Sequence, residues 1–223
     1  MTLQLDDPRI AEFVGIMLGD GSIGIYKCKD VGRTTIMHQL KITVDSREAE
    51  YISYLCSLMS SVFNVNPVVN YKSNENTADI RIFRKKVIEF AISQIGLKLS
   101  PKWNNATIPD VYMRADLATY VLRGLFDTDG CVNLTNNNGT VYPRLELKIC
   151  PLPMQNQVID ILNRNGFDFK VQNLDKGKIR IRLNGKKSLS KWMEIVGSNN
   201  PKHIAKMRKI IAEDGFEPST FTQ

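Results

Sequence analysis

Apolar and polar residues alternate in short runs along most of this chain, and the runs come in pairs, each pair followed by a stretch with helical spacing. From Thr34 to Val44, the residues Ile36, Leu40, Ile42 and Val44 fall on one side of an extended strand, and Thr35, Met37, Gln39, Lys41 and Thr43 on the other. From Thr140 to Cys150, Val141, Leu145, Leu147 and Ile149 oppose Tyr142, Arg144, Glu146 and Lys148. In later runs Ile80 and Ile82 oppose Arg81, while Ile179, Ile181 and Leu183 oppose Arg180 and Arg182. After an apolar helix ending near residue 19, the pattern predicts strands near 22–29 and 34–44 and a helix near 46–63. Strands near 67–72 and 78–83 and a helix near 84–95 complete the first set. After a second apolar helix ending near residue 129, it predicts strands near 131–136 and 140–150, a helix near 153–165, strands near 168–173 and 178–183, and a helix near 186–196.

The two sets are copies of one another. Gln39-Leu40-Lys41-Ile42 matches Glu146-Leu147-Lys148-Ile149, and Asp79-Ile80-Arg81-Ile82 matches Lys178-Ile179-Arg180-Ile181. Ile95-Gly96 followed by Ser100-Pro101-Lys102 matches Val196-Gly197 followed by Asn200-Pro201-Lys202. An internal repeat of this extent sets the architecture. The expected fold is α+β, with two pseudo-symmetric αββαββα halves, each a four-stranded antiparallel sheet with helices on one face. The halves are placed at 1–103 and 114–213, joined by a linker at 104–113 rich in Asn, Pro and Asp, with a loose tail at 214–223.

The helices that open the halves end on the same acidic signature, Gly15-Ile16-Met17-Leu18-Gly19-Asp20-Gly21 and Gly124-Leu125-Phe126-Asp127-Thr128-Asp129-Gly130. Small residues four apart, Gly15 with Gly19 and Gly124 with Thr128, let two such helices pack with their backbones close. Asp20 and Asp129 then lie side by side. A carboxylate in the last turn opposes the helix macrodipole at a cost of roughly 0.3–1 kcal/mol, and two together repel. That arrangement calls for a cation between them, most simply a divalent metal bound through oxygen. Gly21 and Gly130 are expected as left-handed helix C-caps.

Both segments resemble the LAGLIDADG motif of homing endonucleases in its two-copy, single-chain form; the first copy departs from it in having Leu18 where the motif carries its earlier acid. The resemblance implies motif helices at the seam of a DNA-binding saddle and Mg²⁺ held by Asp20 and Asp129, with Gly19 and Thr128 beside them in the ligand set. It also implies an assisting lysine near the end of each half, for which Lys102 and Lys202 are matched through Pro-Lys, with Lys41 and Lys148 as rivals. The implied product is a double-strand break with short 3′ overhangs at a long target. The outward residues Tyr26, Gln39, Lys41, Arg81, Tyr142, Arg144, Lys148, Arg180 and Arg182 are the candidates for base or phosphate contact. Lys27, Lys29, Lys72, Lys176 and Lys178, expected in loops, would supply charge to the DNA backbone. Because the halves differ in nearly every outward side chain, the site should be asymmetric, as suits a monomer rather than a homodimer.

Charge agrees with a polyanionic partner: among 223 residues, 30 Lys and Arg against 23 Asp and Glu give a net charge of +7. Cys28, Cys56, Cys131 and Cys150 form no C-x-x-C pair, and His38 and His203 have no partner at ligand spacing, so a zinc site is excluded and free thiols are expected. No apolar run approaches the ~20 residues of a membrane span, and the first residues lack a basic start and apolar stretch, so an intracellular, non-membrane protein is expected. Gly24-Ile25-Tyr26 resembles the first half of the GIY-YIG nuclease signature, but no Tyr-Ile-Gly follows. The rival functions are an RNA maturase acting on its host intron or another non-cleaving nucleic-acid-binding protein on the same fold. A detached intein endonuclease domain is a third, though the splicing-type ends of a complete intein are absent.

Overall fold

The computed structural model describes residues 4–30, 32–103, 105–149 and 153–212; the tail assigned to 214–223, and Cys150, lie outside the described residues. Helix α1, Pro8–Leu18, opens with Asp7, whose carboxylate accepts the Arg9 amide at 2.8 Å, and with Pro8 in the first turn, where its missing N–H costs nothing. It leads into the hairpin β1 (Gly21–Asp30) and β2 (Arg33–Asp45), then α2 (Ala49–Phe63), β3 (Val68–Tyr71), β4 (Thr77–Ile82) and α3 (Lys85–Ser93). Helix α4, Ala115–Asp129, starts the same series again: β5 (Gly130–Asn137), β6 (Thr140–Ile149), α5 (Met154–Arg164), β7 (Lys170–Asn173), β8 (Ile179–Asn184) and α6 (Lys186–Ile195). A further helix, α7, Pro201–Ala212, closes the described chain.

Both sheets are antiparallel and share one strand order, β1-β2-β4-β3 and β5-β6-β8-β7. The central pairs share one register, Lys41 with Arg81 and Lys148 with Arg180, while the opening hairpins differ by two residues: Gly21 pairs with Ile42, but Gly130 pairs with Leu147, the counterpart of Leu40. The alternation read from sequence holds at the sheet centres. Leu40, Ile42, Ile80 and Ile82, and Leu145, Leu147, Ile149, Ile179 and Ile181, are buried beneath helices, with the charged residues on the opposite face. It fails near the hairpin ends, where Ile36 and Val141 are 60% and 52% exposed, because both hairpins outreach the helices that cover their roots. Lys27 and Lys29 lie within β1 rather than in loops, and Gly24-Ile25-Tyr26 is part of the same strand.

The helix α7 has no counterpart among the elements expected from sequence. Its signals are nonetheless present: Asn200 caps it, accepting the Lys202 amide at 3.0 Å, Pro201 fills the first turn, and His203, Met207 and Ile210 form its buried stripe. Gly21 and Gly130 are not left-handed caps. Gly130 is extended at φ −89°, and both begin strands. What they need is space, since a Cβ on Gly21 would sit 2.5 Å from the Met17 Cα and one on Gly130 2.4 Å from the Phe126 carbonyl oxygen.

Candidate active site and nucleic-acid interface

The site grows from the contact of α1 with α4. A Cβ built on Gly15 would lie 2.0 Å from the Val121 carbonyl oxygen, one on Gly124 2.2 Å from that of Glu12, and one on Gly19 2.0 Å from the Thr128 hydroxyl. These helices therefore touch backbone to backbone, as the small residues four apart foretold. Their C-terminal ends deliver Asp20 and Asp129 to one place. The same Cβ on Gly19 would be 3.2 Å from the Asp129 Oδ2, and the charge of Asp20 is felt at Asp129. Burial, and then repulsion from Asp20, push the Asp129 carboxyl up to about 6. Burial also raises Asp20, against the opposing pull of Lys102.

Lys102 reaches in from the segment after α3, its ammonium donating to the Met17 carbonyl at 2.6 Å and the Gly19 carbonyl at 2.5 Å. It neutralises the negative end of α1 and lies within the field of both acids. Lys202 goes elsewhere: its ammonium bonds Glu48 Oε1 at 2.8 Å, at the N-terminal end of α2. Lys41 and Lys148 sit on the open sheet faces, Lys41 beside Asp79 at 3.9 Å and Lys148 exposed. Of the other expected ligands, the Gly19 carbonyl already accepts Lys102, and the Thr128 hydroxyl turns back on its own helix, donating within 3.1 Å of Gly124 O and 3.0 Å of Leu125 O.

Two carboxylates and no sulfur or imidazole make a hard, oxygen-only donor set, suited to Mg²⁺ or Ca²⁺ with water and phosphate completing the shell. Among the described residues no group of three or more His, Cys, Asp or Glu side chains is placed to hold a metal. Repulsion between the acids fits the same cation, because a divalent charge relieves it. An isolated aspartate titrates at 3.8, so raising Asp129 penalises the folded, metal-free protein increasingly as pH climbs from there through about 6. Asp129→Asn should consequently raise the Tm of the chelator-treated protein at about pH 7.5, with the gain vanishing below about pH 3.5. Because Asp129 also faces solvent, water screens part of the effect. Thermal scans at the two pH values test this, and an equal change at both would exclude the acid pair as its source.

A buried polar network braces the seam from behind. Glu12 Oε1 accepts Tyr54 OH at 2.5 Å and Asn199 Nδ2 at 2.8 Å, and burial raises its carboxyl. Asp127 accepts Ser198 Oγ at 2.5 Å and the Asn199 amide at 2.7 Å, while Asn200 Nδ2 reaches both the Asp127 carbonyl and Glu48 Oε2 at 3.1 Å. Elements of both halves meet here. Leu18, at the position matching Asp127, is instead buried and lines a small cavity with Leu97, so one copy anchors its following loop by hydrogen bonds and the other by apolar packing. Gln157 of α5 ties the linking segment to the second half through Ile108, accepting its amide and donating to its carbonyl, each at 2.8 Å.

The outer sheet faces carry every expected contact residue. Tyr26 is exposed and lies across Gly24, where any Cβ would strike its ring; Gln39 pairs with Gly24 and Lys41 with Arg81. In the other sheet Tyr142, Arg144, Lys148, Arg180 and Arg182 share one face. Each face also holds a carboxylate that the charge pattern alone did not single out. Asp79, almost fully buried, accepts Thr43 Oγ1 at 2.7 Å and pairs with Arg81 and Lys41. Glu146 accepts Arg182 Nε at 2.7 Å and lies 3.8 Å from Arg144 and 3.9 Å from Arg180. Arg144 is further held by Asn184 Oδ1 at 2.9 Å and Tyr142 OH at 3.0 Å. Arg81, Arg144, Arg180 and Arg182 are thus each paired with a carboxylate of their own face.

The model of the LAGLIDADG DNA endonuclease family matches residues 11–190. No curated protein matches the sequence. Solved structures share the fold at low identity. The meganuclease I-SmaMI, bound to uncleaved DNA target in the presence of calcium ions, superposes with a TM-score of 0.61 at 11% identity, covering 94% of this chain and 92% of its own. The I-LtrWI LAGLIDADG homing endonuclease bound to target DNA gives 0.61 at 11% identity, covering 95% and 92%. A mesophilic variant of the homing endonuclease I-DmoI gives 0.59 at 17% identity, covering 88% and 99%.

Proposed function

This chain belongs to the LAGLIDADG DNA endonuclease family, and from that premise we propose that it is a monomeric, Mg²⁺-dependent homing endonuclease that cuts both strands of a long, asymmetric DNA site and leaves short 3′ overhangs. The observation that carries this reading is the convergence of Asp20 and Asp129 at the tight seam of α1 and α4, flanked by two sheets whose outer faces are basic. Asp20 and Asp129 would hold the metal. Bound there, a divalent ion supplies charge neutralisation and an activated water for phosphodiester hydrolysis. The chain's own part is to fix the acids at the rigid seam, to hold Lys102 beside them, and to position the duplex with the two sheets. A β-ribbon fits the major groove, where arginine and lysine address guanine and glutamine addresses adenine.

The test is incubation with a duplex spanning the joined sequences that flank the reading frame, with Mg²⁺ or with chelator, and in parallel with the host intron RNA. A double-strand cut that requires Mg²⁺ is expected. Binding to the RNA with no cut of the duplex would favour the maturase instead.

Glu146 provides a separate check on how the face reads DNA. Glu146→Gln frees three arginines from their common anchor. Affinity for random duplex should rise, with a steeper salt dependence. Discrimination at base pairs met by those arginines, worth about 1–3 kcal/mol for a good bidentate contact, should fall. Competition binding with single-base-substituted duplexes measures both. Unchanged discrimination would mean that the carboxylate does not orient them.

A further inference from the structure

The pseudo-symmetry of the sequence assigns one lysine to each half, but the fold delivers them differently. Lys102 lies in a non-helical segment and turns onto the end of α1. The matching Lys202 is in the first turn of α7, and that backbone carries its ammonium to Glu48, where its charge acts on Asp45. The C-terminal acid therefore lacks the lysine that symmetry would provide. Another one is present. Lys178 comes one residue before β8, and its parity with Arg180 and Arg182 places it on the outer face, at the strand end where Ile149 pairs with Ile179. Its ammonium lies 4.6 Å from the centroid of the Trp103 ring. Trp103 directly follows Lys102, so the contact ties Lys178 to the same segment that delivers Lys102 to the end of α1. The positive charge of Lys178, like that of Lys102, is felt at Asp129.

We propose that Lys178 is the cation serving the DNA strand cut at Asp129, and that Trp103 is its positioning residue; this rests on the nuclease reading above. In that hydrolysis the water oxygen bonds to phosphorus and the bond from phosphorus to the leaving oxygen breaks with its electron pair. The proton lost by water is matched by the one the leaving oxygen gains. Negative charge grows on the phosphoryl oxygens, and an ammonium fixed beside them stabilises that growth without transferring a proton itself. The two halves are then chemically unequal: one draws its lysine from the segment after α3, the other from the hairpin of β7 and β8 in its own sheet.

Two measurements on the duplex spanning the joined flanks, each strand separately labelled, test the assignment. In single-turnover cleavage at saturating protein, Lys178→Ala should slow one strand by about 10- to 100-fold and leave the other within about twofold. Trp103→Ala should slow the same strand less, and Trp103→Phe, which keeps a ring, should restore it. Lys202→Ala should slow neither. The second readout is binding, without cleavage, of duplexes in which one scissile phosphate is replaced by a neutral methylphosphonate. The parent should lose affinity for either substitution, while Lys178→Ala should be indifferent to the one on its own strand and still sensitive to the other. Equal slowing of both strands, or equal sensitivity to both substitutions, would reduce Lys178 to general duplex-binding charge and overturn the proposal. A parent protein that binds this duplex and cuts neither strand would instead remove the nuclease reading itself.

Discussion

Asp20→Asn and Asp129→Asn, made one at a time, should each abolish double-strand cleavage while leaving DNA binding largely intact. Each substitution keeps the size and shape of the side chain and removes one of two negative charges that face each other at the seam. The loss should be at least the 10²- to 10³-fold typical of deleting one electrostatic group from a reacting centre, because the carboxylate is proposed to hold the metal. Supercoiled plasmid carrying the site gives a clear assay, since linear product reports a double-strand cut and nicked circle a single one. In the proposed arrangement each acid serves one strand, so each variant should stop at the nick or before it. Full linearisation by either variant would remove that aspartate from the mechanism. Unfolding is not a competing explanation for Asp129→Asn, because relief of like-charge repulsion should leave that variant more stable than the parent in the absence of metal. Stability and activity are set against each other at this position, as they are wherever a site stores unfavourable charge for a ligand to neutralise.

What could be read from sequence, and what could not, divides along physical lines. Strand alternation is dictated by the two-residue period of a pleated strand with one dry face, so the placement of Arg81, Arg144, Lys148, Arg180 and Arg182 followed directly. The same rule misplaced Ile36 and Val141, because alternation says which way a side chain points but not whether a helix extends far enough to cover it. Close approach of α1 and α4 was legible because glycine and threonine four apart form a recognisable stripe. The glycines after the acids were read as a demand for positive φ, when the actual demand is the absence of a Cβ beside Met17 and Phe126. The match of Pro101-Lys102 with Pro201-Lys202 illustrates a further limit: identical dipeptides on different backbones aim their side chains apart, and only coordinates distinguish the loop from the first turn of α7. Glu146 was visible as a charge on a polar face and Asp79 only as a member of the repeat, but their work as anchors depends on cross-strand register. That register pairs Glu146 with Arg182 and places Asp79 across from Thr43.

Gly124→Leu and Gly15→Leu should be the most destructive substitutions at the seam. An exposed helical glycine is ordinarily a weak point, and replacing it by alanine gains roughly 0.5–1 kcal/mol. Here the sign reverses. The first carbon of any side chain at 124 would lie 2.2 Å from the Glu12 carbonyl oxygen and 2.8 Å from the Ile16 amide nitrogen, and at 15 it would lie 2.0 Å from the Val121 carbonyl oxygen. All of these are backbone atoms of the facing helix, with no rotamer through which to retreat, so α1 and α4 would have to separate along their whole contact. Overpacking a core costs about 1–3 kcal/mol when side chains can adjust; against backbone even alanine should reach the top of that range. Leucine should exceed it and consume much of the about 5–15 kcal/mol by which folded proteins are stable. Chemical denaturation of the alanine and leucine variants measures the series. Because Asp20 and Asp129 sit at the ends of these helices, an alanine variant that still folds should cut DNA more slowly than the parent, its acids no longer at the spacing the metal requires. If Gly124→Ala instead proved more stable than the parent, the helices could not be in backbone contact, and the geometry that joins the two acids would have to be abandoned.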